Sequence, residues 1–241
     1  MLSERYIKML TEEAASFDIQ ISNKQADKFS LYADLLVQWN EKINLTAITD
    51  EEGIVIKHFL DSLSIIPYIP GDTKNLIDVG TGAGFPGIPI KIINDRIKVT
   101  LLDSLEKRIK YLNEVINRLE LKDVYTVHGR AEDFGVDKKY REQFDAAAAR
   151  AVASLPVLLE YCLPFVKTGG LFIAMKGPDA KNELIESKKA LDILGGEVLD
   201  IKELTLPYSD NKRCIILIKK CRHTPTSYPR KSGKPTKQPI K

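Results

Sequence analysis

Apolar residues change their spacing at about residue 75. Before it they recur every three to four positions. Phe29, Tyr32, Leu36 and Trp39 form one such stripe, and Ile56, Phe59, Leu63 and Ile66 another. That period belongs to amphipathic helices with one face on a core. Ser22 to Gln25 fits a capping box ahead of the first stripe, the Ser oxygen and the Gln side chain satisfying free N–H groups. Thr49, with Glu52 three residues on, is the expected start of the second helix, and Pro67, Pro70 and Gly71 its end. Beyond Asn75 short apolar runs at 76–79, 99–102, 124–127 and 171–175 alternate with amphipathic stretches at 88–93, 107–119, 156–166 and 181–194. This alternation predicts a parallel sheet with helices on both faces. Two closing runs, 198–206 and 214–218, are joined by a short turn at 207–212 and predict an antiparallel pair. Ala146–Ala149 is a local conflict, because alanine favours helices. Its place in the alternation, just before Arg150, predicts a strand.

Bulk properties refine this picture. A chain of 241 residues with 44% hydrophobic content is long enough for a sizeable core. Residues 219–241 hold eight Lys and Arg and no acid, while the whole chain carries a formal charge of +3. Subtracting that eight leaves −5 for residues 1–218. A basic tail of this kind either contacts a polyanion such as nucleic acid or is a solvated end. With Pro225, Pro229, Pro235 and Pro239 at near-regular spacing, it is expected to be extended and poorly packed unless a partner orders it. Cys162, Cys214 and Cys221 are odd in number and widely spaced, which argues against a disulfide framework. No metal-ligand set stands out, since Cys221 and His223 lack companions. The N-terminus MLSERYIKML is not a secretory signal, and no run reaches the ~18 apolar residues of a membrane span. A cytoplasmic setting with no membrane contact is expected.

Candidate chemistry centres on DVGTGAGFPG, residues 78–87. It contains two overlapping patterns. Gly82-x-Gly84-x-x-Gly87 is the dinucleotide fingerprint, in which a pyrophosphate sits on a helix N-terminus. Asp78-x-Gly80-x-Gly82-x-Gly84 instead places an acid before three alternating glycines. An acid there repels a pyrophosphate but complements the sulfonium and ammonium of S-adenosylmethionine. Asp103, nineteen residues after Gly84, ends the next strand and is placed to grip ribose hydroxyls of either cofactor. Ala131 and Glu132 follow the third strand, where backbone N–H and an acid can read an adenine edge; a plain helix start with acids in its first turn is the bland alternative. Arg150 and Lys176 end later strands, where a cation can hold a carboxylate or an RNA phosphate. His58 and Asp61 stand one helical turn apart and are placed to hydrogen-bond.

Together these motifs resemble the small-subunit ribosomal RNA guanine-N7 methyltransferase family (RsmG, once called glucose-inhibited division protein B). The resemblance runs through WNEKINLT at 39–46, KHFLDSL at 57–63, the glycine loop, LLDSLEKR at 101–108, GRAED at 129–133, ARAVA at 149–153 and YPRKSGKPTKQPI at 228–240. It implies an α/β, class I S-adenosylmethionine-dependent methyltransferase (Rossmann-like) fold. That means a mostly parallel seven-stranded sheet with an antiparallel last strand, after an N-terminal helical extension. The expected organisation is an extension at 1–70, a methyltransferase domain at 71–220 and a basic tail at 221–241. The implied reaction is methyl transfer to N7 of a guanine in the decoding-region loop of 16S rRNA, as free rRNA or in the small subunit or its assembly intermediate; separately, a monomer is expected. The implied cofactor contacts are Gly80, Phe85, Ala131, Glu132 and Arg150; Asp78, Gly82, Gly84 and Asp103 come from the loop argument. Guanine N7 carries an available lone pair and no proton, so no catalytic acid or base is expected. A nicotinamide-dependent oxidoreductase, a small-molecule methyltransferase and a non-enzymatic RNA-binding module are the alternatives.

Overall fold

The structure is a computed structural model describing residues 1–150 and 153–241; Ala151 and Val152 of the ARAVA motif lie outside the described residues. Helices α1 (Glu4–Ala15) and α2 (Asn23–Ile43) open the chain. The α2 start carries the expected box, with Ser22 Oγ accepting from Gln25 N and the Gln25 side chain accepting from Ser22 N. The next helix begins one residue later than expected. Asp50 caps it, accepting from Gly53 N at 2.7 Å. It is also not a regular α-helix: α3 (Glu51–Gly53) and α4 (Asp61–Leu63) flank a π-helical Ile54–Leu60. The wider π-turn buries Ile54, Val55, Ile56, Phe59 and Leu60 together, more than a 3.6-residue stripe would. Such segments are frequent at functional sites.

The remaining elements alternate as the pattern predicts. They are β1 (Asn75–Val79), α5 (Gly87–Ile93), β2 (Lys98–Asp103), α6 (Glu106–Arg118), β3 (Val124–His128), α7 (Ala131–Phe134), β4 (Phe144–Arg150) and α8 (Leu155–Cys162). Then come β5 (Val166–Lys176), α9 (Ala180–Glu186), α10 (Lys188–Leu194), β6 (Gly196–Thr205), β7 (Lys212–Lys220) and a final turn α11 (Lys234–Lys237). The expected helix at 181–194 is broken at Ser187, whose hydroxyl donates back to Glu183 O. The seven strands lie in the order β3-β2-β1-β4-β5-β7-β6, with only β7 antiparallel to its neighbours. Chain order reverses between β1 and β4, which makes the carboxyl ends of these strands the crevice where an open α/β sheet takes its ligand.

Strand β4 confirms the alanine strand. Ala146 to Ala149 are all fully buried. Ala146 and Ala148 face a core shared with Phe29, Tyr32, Phe59 and Phe85 from the N-terminal helices and the glycine loop. Ala147 and Ala149 face a second core built on α8 and α10. A central strand covered on both faces gains from burial whatever its intrinsic propensity.

The C-terminal segment corrects the expectation of a poorly packed tail. Arg230 Nη2 and Nε donate to buried Glu160 at 2.6 and 2.9 Å. Arg141 Nη2 donates to Thr224 O at 2.6 Å and its Nη1 to Tyr228 O at 2.8 Å. Ile240 is buried in the second core. Composition suggests disorder because partners 70 to 87 residues away are invisible in the segment itself. Its prolines keep it extended beforehand and lower the entropy lost on docking.

Candidate active site

Three loops meet at the crevice. After β1, the chain turns through Gly80, Gly82 and Gly84, all at positive φ (72°, 61° and 99°), where a side chain is strained. After β2 stands Asp103, 2% exposed. Its Oδ2 accepts from Gly82 N at 2.9 Å and its Oδ1 from Leu105 N at 2.9 Å. Arg108 Nη1 approaches Oδ2 at 3.2 Å. After β4 stands Arg150, its side chain 15% exposed. Nη1 donates to Asp61 Oδ2 at 3.1 Å and to Lys57 O at 3.1 Å. Its guanidinium lies 4.9 Å from the centre of the Phe85 ring, and the His58 ring stacks on Phe85 at 4.6 Å. Asp61 also accepts from Arg213 Nε at 2.9 Å, so one buried carboxylate serves two arginines. Burial opposes the positive charge on Arg150 and lowers its pKa, with Asp61 acting in the other direction.

Two cavities share the glycine loop. One, of about 330 Å³, is lined by Val79, Gly80, Asp103, Ala131, Glu132 and Gly233 among others. The second, of about 430 Å³, is lined by Thr46, His58, Gly82, Phe85, Asp103 and Arg150 among others. Gly80, Asp103 and Ser104 line both, so the two are lobes around one ridge. A Cβ at Gly82 would meet nothing within 4 Å, which leaves the backbone open to a close ligand.

Of the expected site residues, Gly80, Gly82, Phe85, Asp103, Ala131, Glu132 and Arg150 line these lobes. Asp78 and Gly84 do not, and both assignments are corrected. Asp78 is fully buried beneath the loop. Its Oδ2 accepts from Thr81 Oγ1 at 2.6 Å and Gly87 N at 2.8 Å, so the acid holds the loop's shape from inside. Burial pushes its carboxyl up to about 6, against the pull of those two donors. Gly84 makes room for the helical extension: a Cβ there would lie 2.5 Å from Tyr32 Oη and 2.7 Å from Ile88 Cγ1. Tyr32 Oη donates to Ala83 O at 2.5 Å. His58 and Asp61 do not bond each other; both turn to Arg150, and His58 Nε2 meets Thr46 Oγ1 at 2.9 Å. Lys176 is not free for an anion, being paired with Glu183 at 2.9 Å. Thr46, Leu105, Tyr161 and Gly233 also line the lobes and are not among the residues expected from the sequence. For Thr46 a signal existed in WNEKINLT, where the Asn40 side chain accepts from Leu45 N and Thr46 N and folds the loop back.

Burial, and then the charge of Arg150, lower the His58 pKa to about 3. The unfolded chain takes up this proton below about pH 6.5, whereas the native state refuses it. Stability is therefore lost as pH falls from about 6.5 toward 3. Asp78 works oppositely, favouring the native state as pH falls from about 6 toward 3.8. His58→Gln is expected to remove its share of the acid loss, flattening the wild-type slope by up to about 1.4 kcal/mol per pH unit. Urea unfolding between pH 6 and 4 measures it, and equal slopes for the two proteins would place His58 in a solvated setting.

A mostly parallel seven-stranded sheet with one antiparallel strand, a glycine loop after β1 and an acid closing β2 define a Rossmann-like fold of the kind that S-adenosylmethionine-dependent methyltransferases use. A family model described as rRNA small subunit methyltransferase G (GidB) matches residues 25–214, and the chain belongs to that family. A protein named ribosomal RNA small subunit methyltransferase G from Acetivibrio thermocellus is 63% identical over 233 residues, covering 97% of this chain and 96% of the relative. Among solved structures, ribosomal protein L11 methylase from Lactobacillus delbrueckii subsp. bulgaricus aligns with TM-score 0.53 at 15% identity, over 69% of this chain and 79% of that one. The [4+2]-cyclase SpnF aligns with TM-score 0.52 at 17% identity, over 67% of this chain and 81% of that one. Neighbours named for such different reactions share the fold alone, so the reaction follows from family membership and the site. Family membership also removes the nicotinamide reading of the glycine loop.

Proposed function

We propose that this chain methylates N7 of a guanine in the decoding-region loop of the small-subunit ribosomal RNA, with S-adenosylmethionine as methyl donor. The observation that carries the reading is the pair of lobes joined at Asp103 and Gly80. They suit a cofactor with a nucleoside at one end and an amino acid at the other. Asp103 holds the ribose hydroxyls. Ala131 N–H and Glu132 face the base. The Gly80 and Gly82 backbone lies along the amino acid end, with Arg150 beside its carboxylate and Phe85 closing the wall. Bound there, S-adenosylmethionine supplies an electrophilic methyl group.

The residues of the second lobe orient and shield. His58 is held neutral near Arg150, and Asp103 already accepts from two backbone N–H groups, which fixes its carboxylate. With its pKa so low His58 is a poor base, and attack by N7 releases no proton. Catalysis then rests on alignment and exclusion of water, which can supply roughly 7–11 kcal/mol of barrier lowering. Among the described residues no helix is long and apolar enough to cross a membrane. The proposed setting is the cytoplasm, where the chain acts on RNA as a monomer. Incubation with labelled S-adenosylmethionine and small-subunit RNA, naked or in subunits, tests the reading. Label recovered as 7-methylguanosine in the RNA supports it; label in no RNA, or at another atom, overturns it.

A further inference from the structure

The wall of the first lobe includes Gly233 and Thr236 from the C-terminal segment. This segment is fastened there at several points. Gly233 N donates to Glu132 Oε1 at 3.0 Å, and the Thr236 and Tyr161 hydroxyls meet at 2.9 Å. Arg130 Nη1 bonds Ser232 Oγ, and Pro235 is buried. Between these anchors Lys231, Lys234 and Lys237 are exposed. Among the described residues none of the three forms an ion pair; the tail's pairs to the body use Arg222 with Asp192, His223 with Glu142, Arg230 with Glu160 and Lys241 with Glu186. Of the acids in this region, Glu132 and Glu160 are buried and engaged by Gly233 N–H and Arg230. Asp133 is exposed one residue further on. A segment held in place by buried contacts therefore presents unneutralised cations beside the mouth of a nucleoside pocket.

We propose that Lys231, Lys234 and Lys237, with Arg130, form a phosphate-docking rim that seats the backbone of the substrate RNA beside the nucleoside lobe. Exposed lysines fixed on an ordered segment contact phosphates without reading bases, which sets position and salt dependence and leaves sequence choice to other residues. The same segment walls the lobe, so RNA held on the rim steadies that wall. Cofactor and RNA then strengthen each other's binding by the same factor. This inference rests on RNA being the substrate.

The test is the triple variant K231Q/K234Q/K237Q beside K231R/K234R/K237R, each as the full chain. RNA affinity is measured against salt with small-subunit RNA, and cofactor affinity by calorimetry with and without that RNA. For the Gln variant, cofactor affinity without RNA stays within twofold of wild type. The slope of log affinity against log salt falls in magnitude by about 2, at ~0.7 for each single-strand phosphate left without its lysine. The RNA KM rises about tenfold with little change in kcat, and the Arg variant restores both. Melting at the wild-type temperature shows that the Gln variant is folded. An unchanged salt slope and RNA KM overturn the rim, while RNA methylation by the wild-type chain leaves the proposed reaction standing. If the wild-type chain methylates no RNA, the proposed reaction falls and the rim falls with it.

Discussion

Asp103→Ala will weaken cofactor binding by about 100-fold or more. Its carboxylate offers about four acceptor positions. Gly82 N, Leu105 N and Arg108 already take three of them in this structure. To accept two ribose hydroxyls, the carboxylate must release Arg108. That residue is free to yield, its side chain being 31% exposed. Each hydrogen bond to a charged acceptor contributes about 1.5–3 kcal/mol, so two bonds account for the expected loss. Asp103→Asn keeps the shape and one acceptor oxygen and should fall between alanine and wild type. Arg108→Ala removes a competitor and should leave affinity unchanged or slightly raised. Calorimetry with S-adenosylmethionine reads all three, and wild-type affinity in the alanine variant would take Asp103 out of the site.

Two glycines two residues apart should fail in different ways. Gly84→Ala drives a methyl into Tyr32 Oη and Ile88 at a φ of 99°. Overpacking of about 1–3 kcal/mol adds to backbone strain of about 1–2 kcal/mol, a large part of a typical stability of about 5–15 kcal/mol. The chain should melt about 10 °C lower or fail to fold. Gly82→Ala meets no atom within 4 Å and carries the strain alone. It should melt only about 2–8 °C lower. Its methyl nevertheless stands where the backbone is open to the cofactor, so binding should drop at least tenfold. Thermal melts with calorimetry separate the two. Equal melting temperatures would mean that Tyr32 does not brace the loop, and normal binding by Gly82→Ala would move the cofactor off that face.

Local periodicity carries the layered fold into view, because strand and helix spacing are properties of short windows. The alanine strand is legible through its position, since burial on both faces overrides propensity. Asp103 is legible because a strand and a helix separate two loops by a nearly fixed length. The direction of Asp78 is not. A carboxylate at a strand end can point up to a ligand or down under its own loop, and the choice depends on Gly87 and Thr81 closing around it. The π-turn at Ile54–Leu60 passes for ordinary helix, because the stripe of apolar residues survives a one-residue shift. The packed tail escapes sequence reading because Arg230 and Glu160 lie 70 residues apart, and neither is unusual alone. Ile240 and Tyr228, apolar residues in a basic segment, are the signs of docking that composition hides.

Tyr32 sits in the helical extension, yet its hydroxyl ends on the main chain of the cofactor loop. The expected boundary near residue 70 is therefore crossed by a shared core. Opening the loop means breaking into the packing of α2 and the Phe29, Phe59 and Phe85 rings. Its amides are expected to exchange with the core rather than like those of a surface turn. A glycine-rich loop is usually pictured as the soft part of a Rossmann-like protein. Here its stiffness is borrowed from helices that precede the sheet, and part of the entropy of ordering a cofactor cradle is already spent when the chain folds.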